Sequence, residues 1–429
     1  MPIKVVFLTF YYEAWDALDE AYRLMLADDR FEPIVISIPR KLTGDEGYGH
    51  EPDVSAFFDA QGIEHLRFNY ADGPDGRGSF AGLERLREIA PDYVFLNYPW
   101  RRNYQPAYRA ENLVSFTKVA YVPYYSLPLV NEPGETGVAG HMYEQRTHQL
   151  ASLVFTQDAA SLEAYAHTDR GNGYVHLTGS PKLDVLQREA REAIAKWPIP
   201  SSMTSASSAP RNYRLVWAPH HSYGANWLNF GVFASVYQQM LAFAKSHPNV
   251  DVVLRPHPFL FGTLVDRAVI SAEALAEWQH EWNALPNTAI HTEGSYAALF
   301  MATDLMVTDG ISFLGEYPIL TGKPTIFIEK REHWEFAPLG ELAAAANIRV
   351  RSYEEFEAAF DHIRTDGLPD FSEPIAALRA AANPYPGKAA KRIVEQTAAD
   401  YAAGTPLVDP SVIKTTAWEF REGREPQPE

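Results

Sequence analysis

The sequence of 429 residues contains no cysteine. Disulfide bonds, thiolate metal ligands and cysteine nucleophiles are therefore excluded together. Two glycine-rich nucleotide motifs are also missing, because neither a Gly-x-x-x-x-Gly-Lys loop nor a Gly-x-Gly-x-x-Gly fingerprint occurs. Any binding of a nucleotide must consequently depend on another kind of strand-to-helix turn.

Positive charge is scarce, since 37 Lys and Arg residues face 55 Asp and Glu residues, for a formal net charge of −18. This balance disfavours broad attraction to nucleic acid or to anionic lipid. The sequence has no long apolar run of membrane-spanning length, and Glu13 and Asp16 interrupt the N-terminal apolar segment too early for a signal peptide. We expect a cytoplasmic protein without a nucleic-acid partner, and location at the inner face of the membrane is compatible with this.

Short apolar segments alternate with helical patterns along the whole chain. Such alternation predicts right-handed crossovers and mostly parallel sheets, and the length exceeds what one hydrophobic core usually serves. We therefore expect two α/β domains. The predicted strands are residues 3–10, 33–38, 65–68, 93–97, 119–122, 153–156, 174–177, 214–218, 251–254, 288–291, 304–308, 324–328 and 348–350.

The alternation stops between residues 197 and 212, where Ser and Pro are frequent and no periodic apolar face is present. We predict a linker there, between an N-terminal domain of residues 1–196 and a C-terminal domain of residues 213–385. Residues 386–429 form a predicted helix and tail that pack back toward the N-terminal domain.

The pattern of residues 304–328 predicts a strand, a polar turn, a helix and a second strand. This segment is the centre of our interpretation of the chain. The turn after a parallel strand leaves unpaired N–H groups at the next helix N-terminus. The helix dipole and these donors favour an anion at that position. We therefore expect a phosphate over residues 310–313.

The polar side chains of this turn are candidate ligands of a nucleotide. We predict that Thr308, Asp309, Gly310 and Ser312 line the phosphate site, with Gly310 small because the backbone must approach the ligand. Glu316 lies one helical turn past Ser312, where a carboxylate could accept hydrogen bonds from a ribose diol. In the alternative interpretation, Asp309 or Ser312 only caps the helix and Glu316 pairs with a base on a solvated face.

Other predicted strand ends of the second half also carry polar residues. His220 follows strand 214–218, Arg255 and His257 follow strand 251–254, and Ser295 opens a predicted helix. Arg255 can grip a phosphate with two hydrogen bonds, and His257 can donate a hydrogen bond or a proton. Solvated turns and structural histidines are the alternatives. We predict no metal site, because no carboxylate or histidine lies three or four residues from the adjacent histidines at 220 and 221.

The first half offers aromatic and charged candidates after its strands. Glu13 follows the first strand, Arg101 follows strand 93–97, and Tyr124 and Tyr125 follow strand 119–122. Aromatic rings beside guanidinium groups suit a polyol or sugar phosphate. The same composition also suits a packed surface between domains, so both interpretations stay open.

The second half resembles the CDP-glycerol glycerophosphotransferase family, the teichoic-acid polymerase-like enzymes with a GT-B fold. The resemblance implies an α/β GT-B fold, with two Rossmann-like domains whose mostly parallel sheets face each other across a cleft. It covers roughly residues 178–330. The matching segments occur in the family's order: Thr-Gly-Ser-Pro-Lys-Leu-Asp at 178–184, Leu-Val-Trp-Ala-Pro at 215–219, Arg-Pro-His-Pro at 255–258, Thr-Asp-Leu-Met-Val-Thr-Asp-Gly-Ile-Ser at 303–312 and Gly-Lys-Pro-Thr-Ile-Phe at 322–327.

The resemblance also implies roles for individual residues. His257 would contact or protonate the donor's phosphate, and Asp309, Gly310 and Ser312 would line the site for the nucleotide diphosphate. The family's acceptor base is a histidine in a segment that corresponds to residues 123–129, where this chain has none. Glu13 or His141 could replace it.

Together these observations lead us to expect a transferase. It would move a glycosyl or polyol-phosphate group from a nucleotide-activated donor to a glycan or lipid-linked acceptor of the cell envelope, such as a teichoic acid-like polymer or capsule. The donor would bind the C-terminal domain and the acceptor the N-terminal domain, near Tyr124, Tyr125 and Arg101, without a cofactor. The alternatives are a sugar-nucleotide epimerase of the same architecture and a non-catalytic nucleotide-sugar-binding subunit.

Overall fold

The computed structural model describes residues 1–42, 45–70, 78–131, 140–192, 194, 196–200, 211–224, 228–292 and 296–413. The chain forms two compact units. The first unit comprises Met1–Ser126, Gly134–Val185 and Ala382–Glu429, and the second comprises Leu127–Pro133 and Leu186–Ala381. The division between the units therefore falls at residues 185 and 186, within a helix, rather than at the predicted linker of residues 197–212.

The first unit contains a seven-stranded parallel sheet with the strand order β3-β2-β1-β4-β5-β6-β7. Its strands are β1 (Ile3–Thr9), β2 (Phe31–Ser37), β3 (His65–Arg67), β4 (Tyr93–Leu96), β5 (Lys118–Tyr121), β6 (Leu153–Thr156) and β7 (Val175–Leu177). Its helices are α1 (Asp19–Leu26), α2 (Glu51–Gln61), α3 (Ser79–Ile89), α4 (Ala110–Leu113), α5 (Gly140–Tyr143), α6 (Arg146–Leu150) and α7 (Ala159–Ala166). Helix α8 (Pro181–Glu192) begins in this unit and ends in the other.

The second unit contains a six-stranded parallel sheet with the order β10-β9-β8-β11-β12-β13. Its strands are β8 (Tyr213–Ala218), β9 (Val250–Leu254), β10 (Thr288–Ile290), β11 (Leu305–Thr308), β12 (Ile326–Ile328) and β13 (Ile348–Val350). Its helices are α9 (Phe233–Ser246), α10 (Leu260–Asp266), α11 (Ala272–Ala284), α12 (Tyr296–Ala302), α13 (Ile311–Thr321), α14 (Pro338–Ala345), α15 (Tyr353–Asp366) and α16 (Ser372–Ala382).

Both sheets are covered by apolar cores on their two faces, which explains why the strands are continuous apolar runs. In β1, Val6 and Leu8 join one core, while Val5 and Phe7 join the core on the opposite face. In the second unit, Trp217 of β8 packs in a core with the rings of α9 and α11. Successive strand residues point to opposite faces, so each strand fills two cores.

The last described α-helix, α17 (Ala389–Ala403), belongs to the first unit. Its residues Ile393 and Val394 join the same core as Phe7. The buried Asp184 carboxylate fixes the approach to α17 by accepting hydrogen bonds from Asn383 Nδ2 at 2.9 Å and the Ala389 N–H at 3.0 Å. None of the described helices is long and apolar enough to cross a membrane.

Candidate functional site

Three loops of the second unit carry the predicted ligand residues to one edge of its sheet. His257 follows β9, His220 follows β8 and Gly310 follows β11, and these three strands are neighbours in the sheet. Because the strands are parallel, their carboxyl ends lie at the same edge, where ligands bind in open α/β sheets. We call this arrangement of His220, His257 and the N-terminus of α13 the histidine edge.

Asp309 holds the histidine edge together. Its side chain is 2% exposed. One carboxylate oxygen accepts the His220 backbone N–H and the other accepts the Val232 N–H, both at 2.6 Å. Burial raises the pKa of Asp309 to about 7, against the opposing effect of these hydrogen bonds. The geometry therefore assigns Asp309 a positioning role and does not support its predicted contact with the nucleotide.

Thr308 and Gly310 also have roles in the packing and hydrogen bonding of the loop. The Thr308 hydroxyl donates to the Ala218 carbonyl at 2.7 Å and accepts the Gly310 N–H at 3.1 Å. A Cβ atom at position 310 would lie 3.1 Å from the Cβ of His220. The predicted reason for a small residue at Gly310 is thus corrected, because His220 occupies the space that a side chain would need.

The first turn of α13 presents backbone N–H groups at the histidine edge. Gly310 is the N-cap residue and provides no side-chain cap, and Ser312 is exposed in the first turn. The N–H groups of the first turn of a helix have no partner within the helix, and the helix dipole favours an anion beside them. The predicted phosphate position thus corresponds to the N–H groups of Ile311, Ser312 and Phe313, with Gly310 excluded.

Three imidazole rings accompany this helix terminus. The rings of His220 and His257 have centroids 5.3 Å apart, and His221 stacks on His257 at 3.8 Å. Burial lowers the pKa of His220 and of His257 well below the usual range, and it lowers the pKa of His221 to about 4. All three rings are therefore neutral near pH 7.

Hydrogen bonds at Nδ1 decide which nitrogen carries the proton in two of these rings. His220 Nδ1 accepts the Ser222 N–H at 3.2 Å, and His257 Nδ1 accepts the Phe259 N–H at 3.2 Å. A neutral imidazole that accepts at Nδ1 carries its hydrogen on Nε2. His220 and His257 consequently offer uncharged Nε2–H donors. The Ser222 hydroxyl also lies 2.8 Å from His220 Nδ1, and Ser222 belongs to the polar turn that the sequence indicates after strand 214–218.

The three histidines also have to be considered as a metal site. Their possible ligand atoms lie within 4.8 Å of one another, a cluster that spacing along the sequence does not reveal because His257 comes from a neighbouring strand. The absence of a metal stays a prediction. Metal-bound histidines normally donate their second ring N–H to an acceptor. Here Nδ1 of His220 and of His257 faces an N–H donor instead, which fits anion binding better than metal binding.

The remaining ligand candidates of the second unit differ in their surroundings. The Arg255 guanidinium donates to the His291 carbonyl at 2.9 Å, and burial lowers the pKa of Arg255. Its grip on phosphate stays a prediction. Glu316 is 2% exposed, which rules out the alternative of a surface pair on a solvated face. Ser295 lies outside the described residues.

In the first unit, aromatic side chains gather where β1, β4 and β5 end. Tyr98 lies 4.9 Å from Tyr11 and 4.8 Å from Tyr124, measured between ring centroids, and all three side chains are partly exposed. We call Tyr11, Tyr98 and Tyr124 the tyrosine cluster. Sequence analysis singled out Tyr124 but missed Tyr98, although it follows β4 as Tyr124 follows β5.

The other candidates of the first unit are already engaged. Arg40 donates to both carboxylate oxygens of Glu13, at 2.8 and 2.9 Å. Arg101 pairs with Glu111. The Tyr125 carbonyl accepts a hydrogen bond from Gln157, and burial raises the pKa of the Tyr125 phenol well above its usual range. The guanidinium group of Arg101 thus forms an ion pair with Glu111. The predicted role of Arg101 beside the tyrosine rings did not include this ion pair.

Comparisons with known proteins identify structural neighbours of the whole chain. No protein-family model matches the sequence. No curated protein matches it either. A UDP-GlcNAc 2-epimerase from Neisseria meningitidis bound to UDP-GlcNAc is similar to this chain, with a TM-score of 0.60, 13% identity and coverage of 93% of this chain and 100% of that one. The S. aureus MnaA–UDP co-structure has a TM-score of 0.59 and 12% identity, and covers 96% and 99% of the respective chains.

A glycosyltransferase is also among the neighbours. The glycotransferase of kitacinnamycin has a TM-score of 0.51 and 13% identity, with coverage of 93% and 99%. At such identities the likeness shows the fold alone. It confirms the predicted α/β GT-B-like fold of two parallel-sheet units.

The predicted function needs correction. UDP-GlcNAc 2-epimerases recur among these neighbours and align with higher TM-scores than the glycosyltransferase. The expectation of a transferase that builds a teichoic acid-like or capsule polymer is therefore wrong, and the alternative of a sugar-nucleotide epimerase is better supported. The resemblance to the CDP-glycerol glycerophosphotransferase family stays an untested prediction.

Proposed function

We propose that this chain is a sugar-nucleotide epimerase that acts on a UDP-linked N-acetylhexosamine. The observation that carries the proposal is the histidine edge, where neutral N–H donors and a helix N-terminus lie at the carboxyl ends of adjacent strands. Epimerases whose structures contain UDP-GlcNAc, or UDP-GlcNAc together with UDP, align with 93% of this chain and support the choice of substrate.

The histidine edge suits a diphosphate because each of its groups donates a hydrogen bond. Under the proposal, Nε2–H of His220 and of His257 and the N–H groups of Ile311–Phe313 in α13 hold the phosphate oxygens. Fixed donors can stabilise the negative charge without reorganising during the reaction. No divalent ion is required for this arrangement, and we propose that none takes part.

Epimerisation also requires a proton to leave and return at the inverted carbon. The group that returns the proton must act as an acid. His257 is a weak candidate for this role, because burial lowers the pKa of its ring and keeps the ring a neutral hydrogen-bond donor. Glu13 stays the candidate base among the predicted residues. Its carboxylate is held by Arg40 and its side chain is 39% exposed, so it is oriented and still accessible.

A second candidate function is binding of a sugar nucleotide without turnover. Three of the described carboxylates that follow strands of the first unit already have partners. Glu13 is held by Arg40, Asp16 lies 3.3 Å from Lys182, and Asp158 accepts the Ser161 N–H at 3.0 Å. Such pairing opposes a role as a proton-transfer group, and this observation favours the binding function.

Incubation with UDP-GlcNAc in deuterium oxide separates the two functions. An epimerase yields UDP-N-acetylmannosamine. Deuterium at the inverted carbon would remove the proton NMR signal of that carbon from the product. Micromolar binding of UDP without conversion would favour the binding function. UDP-, CDP-, GDP- and CMP-linked substrates should be tested in parallel, and the absence of both binding and conversion with all of them would contradict the proposal.

A matched pair of variants ties the result to the site. His257→Ala removes the proposed donor, whereas His247→Ala changes a histidine at the end of α9, next to the amino end of β9. We expect loss of UDP binding only in the first variant. Equal loss in both variants would contradict the assignment of the site.

A further inference from the structure

We infer that the tyrosine cluster of the first unit binds the ring of an uncharged hexopyranose. The choice of an N-acetylated sugar rests on the proposed function, whereas the binding of a neutral sugar ring rests on the cluster itself. The three side chains come from adjacent strands, because Tyr11 follows β1, Tyr98 follows β4 and Tyr124 follows β5. They therefore share the carboxyl edge of the first sheet, where α/β sheets bind ligands.

Buried aromatic side chains hold the cluster in place. Phe10 is 1% exposed and meets Tyr98 edge-on at 5.2 Å. Phe10 also packs edge-on against the buried Tyr104 at 4.8 Å, and the Tyr104 hydroxyl donates to the Tyr98 carbonyl at 3.1 Å. A site whose side chains are already fixed loses little conformational entropy when a ligand binds.

The cluster combines partly exposed aromatic residues with uncharged hydroxyl groups, of which that of Tyr124 is hydrogen-bonded to the Trp100 side chain. Burial raises the pKa of Tyr98 well above its usual range and also raises that of Tyr11 and Tyr124. The phenols therefore keep their protons and can both donate and accept hydrogen bonds. A pyranose offers the matching surfaces, since its C–H groups meet the negative face of a ring and its hydroxyls meet the phenols.

The charges beside the cluster balance, because Glu13 and Asp16 oppose Arg40 and Arg102, and this balance points to a neutral ligand. The nearby Glu13 and Arg40 form an ion pair with oxygen-to-nitrogen distances of 2.8 and 2.9 Å, so neither charge is uncompensated. Arg40 also lies 5.0 Å above the ring of Tyr12. The histidine edge, in contrast, presents several N–H donors and suits an anion. The tyrosine cluster thus fits the sugar and does not fit a diphosphate.

NMR titration of the full chain with N-acetylglucosamine and with N-acetylmannosamine tests the inference, with UDP titrated separately. Tyr98→Ala removes the central ring and Tyr124→Phe removes one hydroxyl. Tyr22→Phe is the matched control, because Tyr22 lies on α1 and packs against Phe7 in the core. Melting temperatures identify variants that are misfolded, and Tyr98→Phe replaces Tyr98→Ala in that case.

We expect Tyr98→Ala to raise the dissociation constant of the sugar at least fivefold and Tyr124→Phe to raise it about threefold. UDP affinity should stay within twofold in every variant. Unchanged sugar affinity in folded Tyr98→Ala and Tyr124→Phe, or no sugar binding by the unmodified chain, would overturn the inference. Sugar binding that depends on Tyr98 while UDP does not bind would support the inference and would instead refute the proposed function.

Discussion

The carboxyl edges of the two sheets carry side chains of different chemistry, although both sheets are parallel. In the second unit, neutral imidazoles and the N-terminus of α13 supply hydrogen-bond donors for an anion. In the first unit, phenols and a compensated ion pair leave an uncharged aromatic surface. A parallel sheet thus determines where a ligand binds, whereas the residues after each strand determine which ligand it is.

The largest effect is expected from breaking the histidine edge at His257. His257→Ala should lower turnover of UDP-GlcNAc by more than 100-fold, because the substrate loses an Nε2–H donor in a preorganised site. The melting temperature should change by no more than about 2 °C, since the ring lies at a strand end and is partly exposed. A normal rate together with a melting temperature several degrees lower would instead make His257 a structural residue.

Gly310→Val should have the next largest effect. A Cβ atom at this position would lie 3.1 Å from the Cβ of His220, so the substitution displaces that ring. We expect the dissociation constant of UDP to rise more than tenfold, or by about 1.4 kcal/mol, in calorimetric titration. Gly262→Val is a suitable control, because a Cβ atom there would meet nothing within 4 Å. Unchanged affinity in Gly310→Val would place the ligand elsewhere.

Asp309 allows a prediction about pH. Its folded-state pKa of about 7 lies above the ordinary value of 3.8, so its contribution to stability is full below about pH 4 and is lost as the pH rises through 7. Asp309→Asn retains the shape and does not titrate. We expect the melting temperature of the unmodified chain to fall relative to Asp309→Asn between pH 4 and 7. A constant difference between the two across this range would show that the carboxyl does not titrate there.

Ser312→Ala should have the smallest effect of these substitutions. It removes one exposed hydroxyl at the first turn of α13 and leaves the backbone N–H donors in place. One hydrogen bond contributes about 0.5–1.5 kcal/mol, so UDP affinity should fall by less than in Gly310→Val. A larger loss than in Gly310→Val would mean that the hydroxyl, and not the backbone, dominates the anion site.

Sequence patterns predicted the strands well because these segments are continuous apolar runs buried on both faces. The observed strands Leu153–Thr156 and Ile348–Val350 have the predicted limits. The apolar residues of 14–26 have helical spacing, which predicts one helix, but the structure has a 3-10 helix, Tyr12–Ala17, and α1, separated by Leu18 with φ −117° and ψ −28°. Periodicity shows which residues are apolar but does not show such a local break.

The candidate site was predictable only in part. Strand ends indicated His220, His257 and the turn at Gly310, since those positions follow from the order of elements. The meeting of His221 with His257 depends on β8 and β9 being neighbours, which local sequence does not encode. The use of Asp309 to bind backbone N–H groups and the proton positions on the imidazoles likewise depend on contacts between distant segments.

The central claim is that the histidine edge is a metal-free site for a nucleoside diphosphate. Calorimetric titration of UDP into the chain in the presence of a chelator tests it most directly, with His257→Ala and His247→Ala measured alongside. We expect the unmodified chain and His247→Ala to bind UDP equally in chelator and His257→Ala to lose at least tenfold in affinity. Binding that occurs only after a divalent metal is added, or equal affinity in all three proteins, would contradict it.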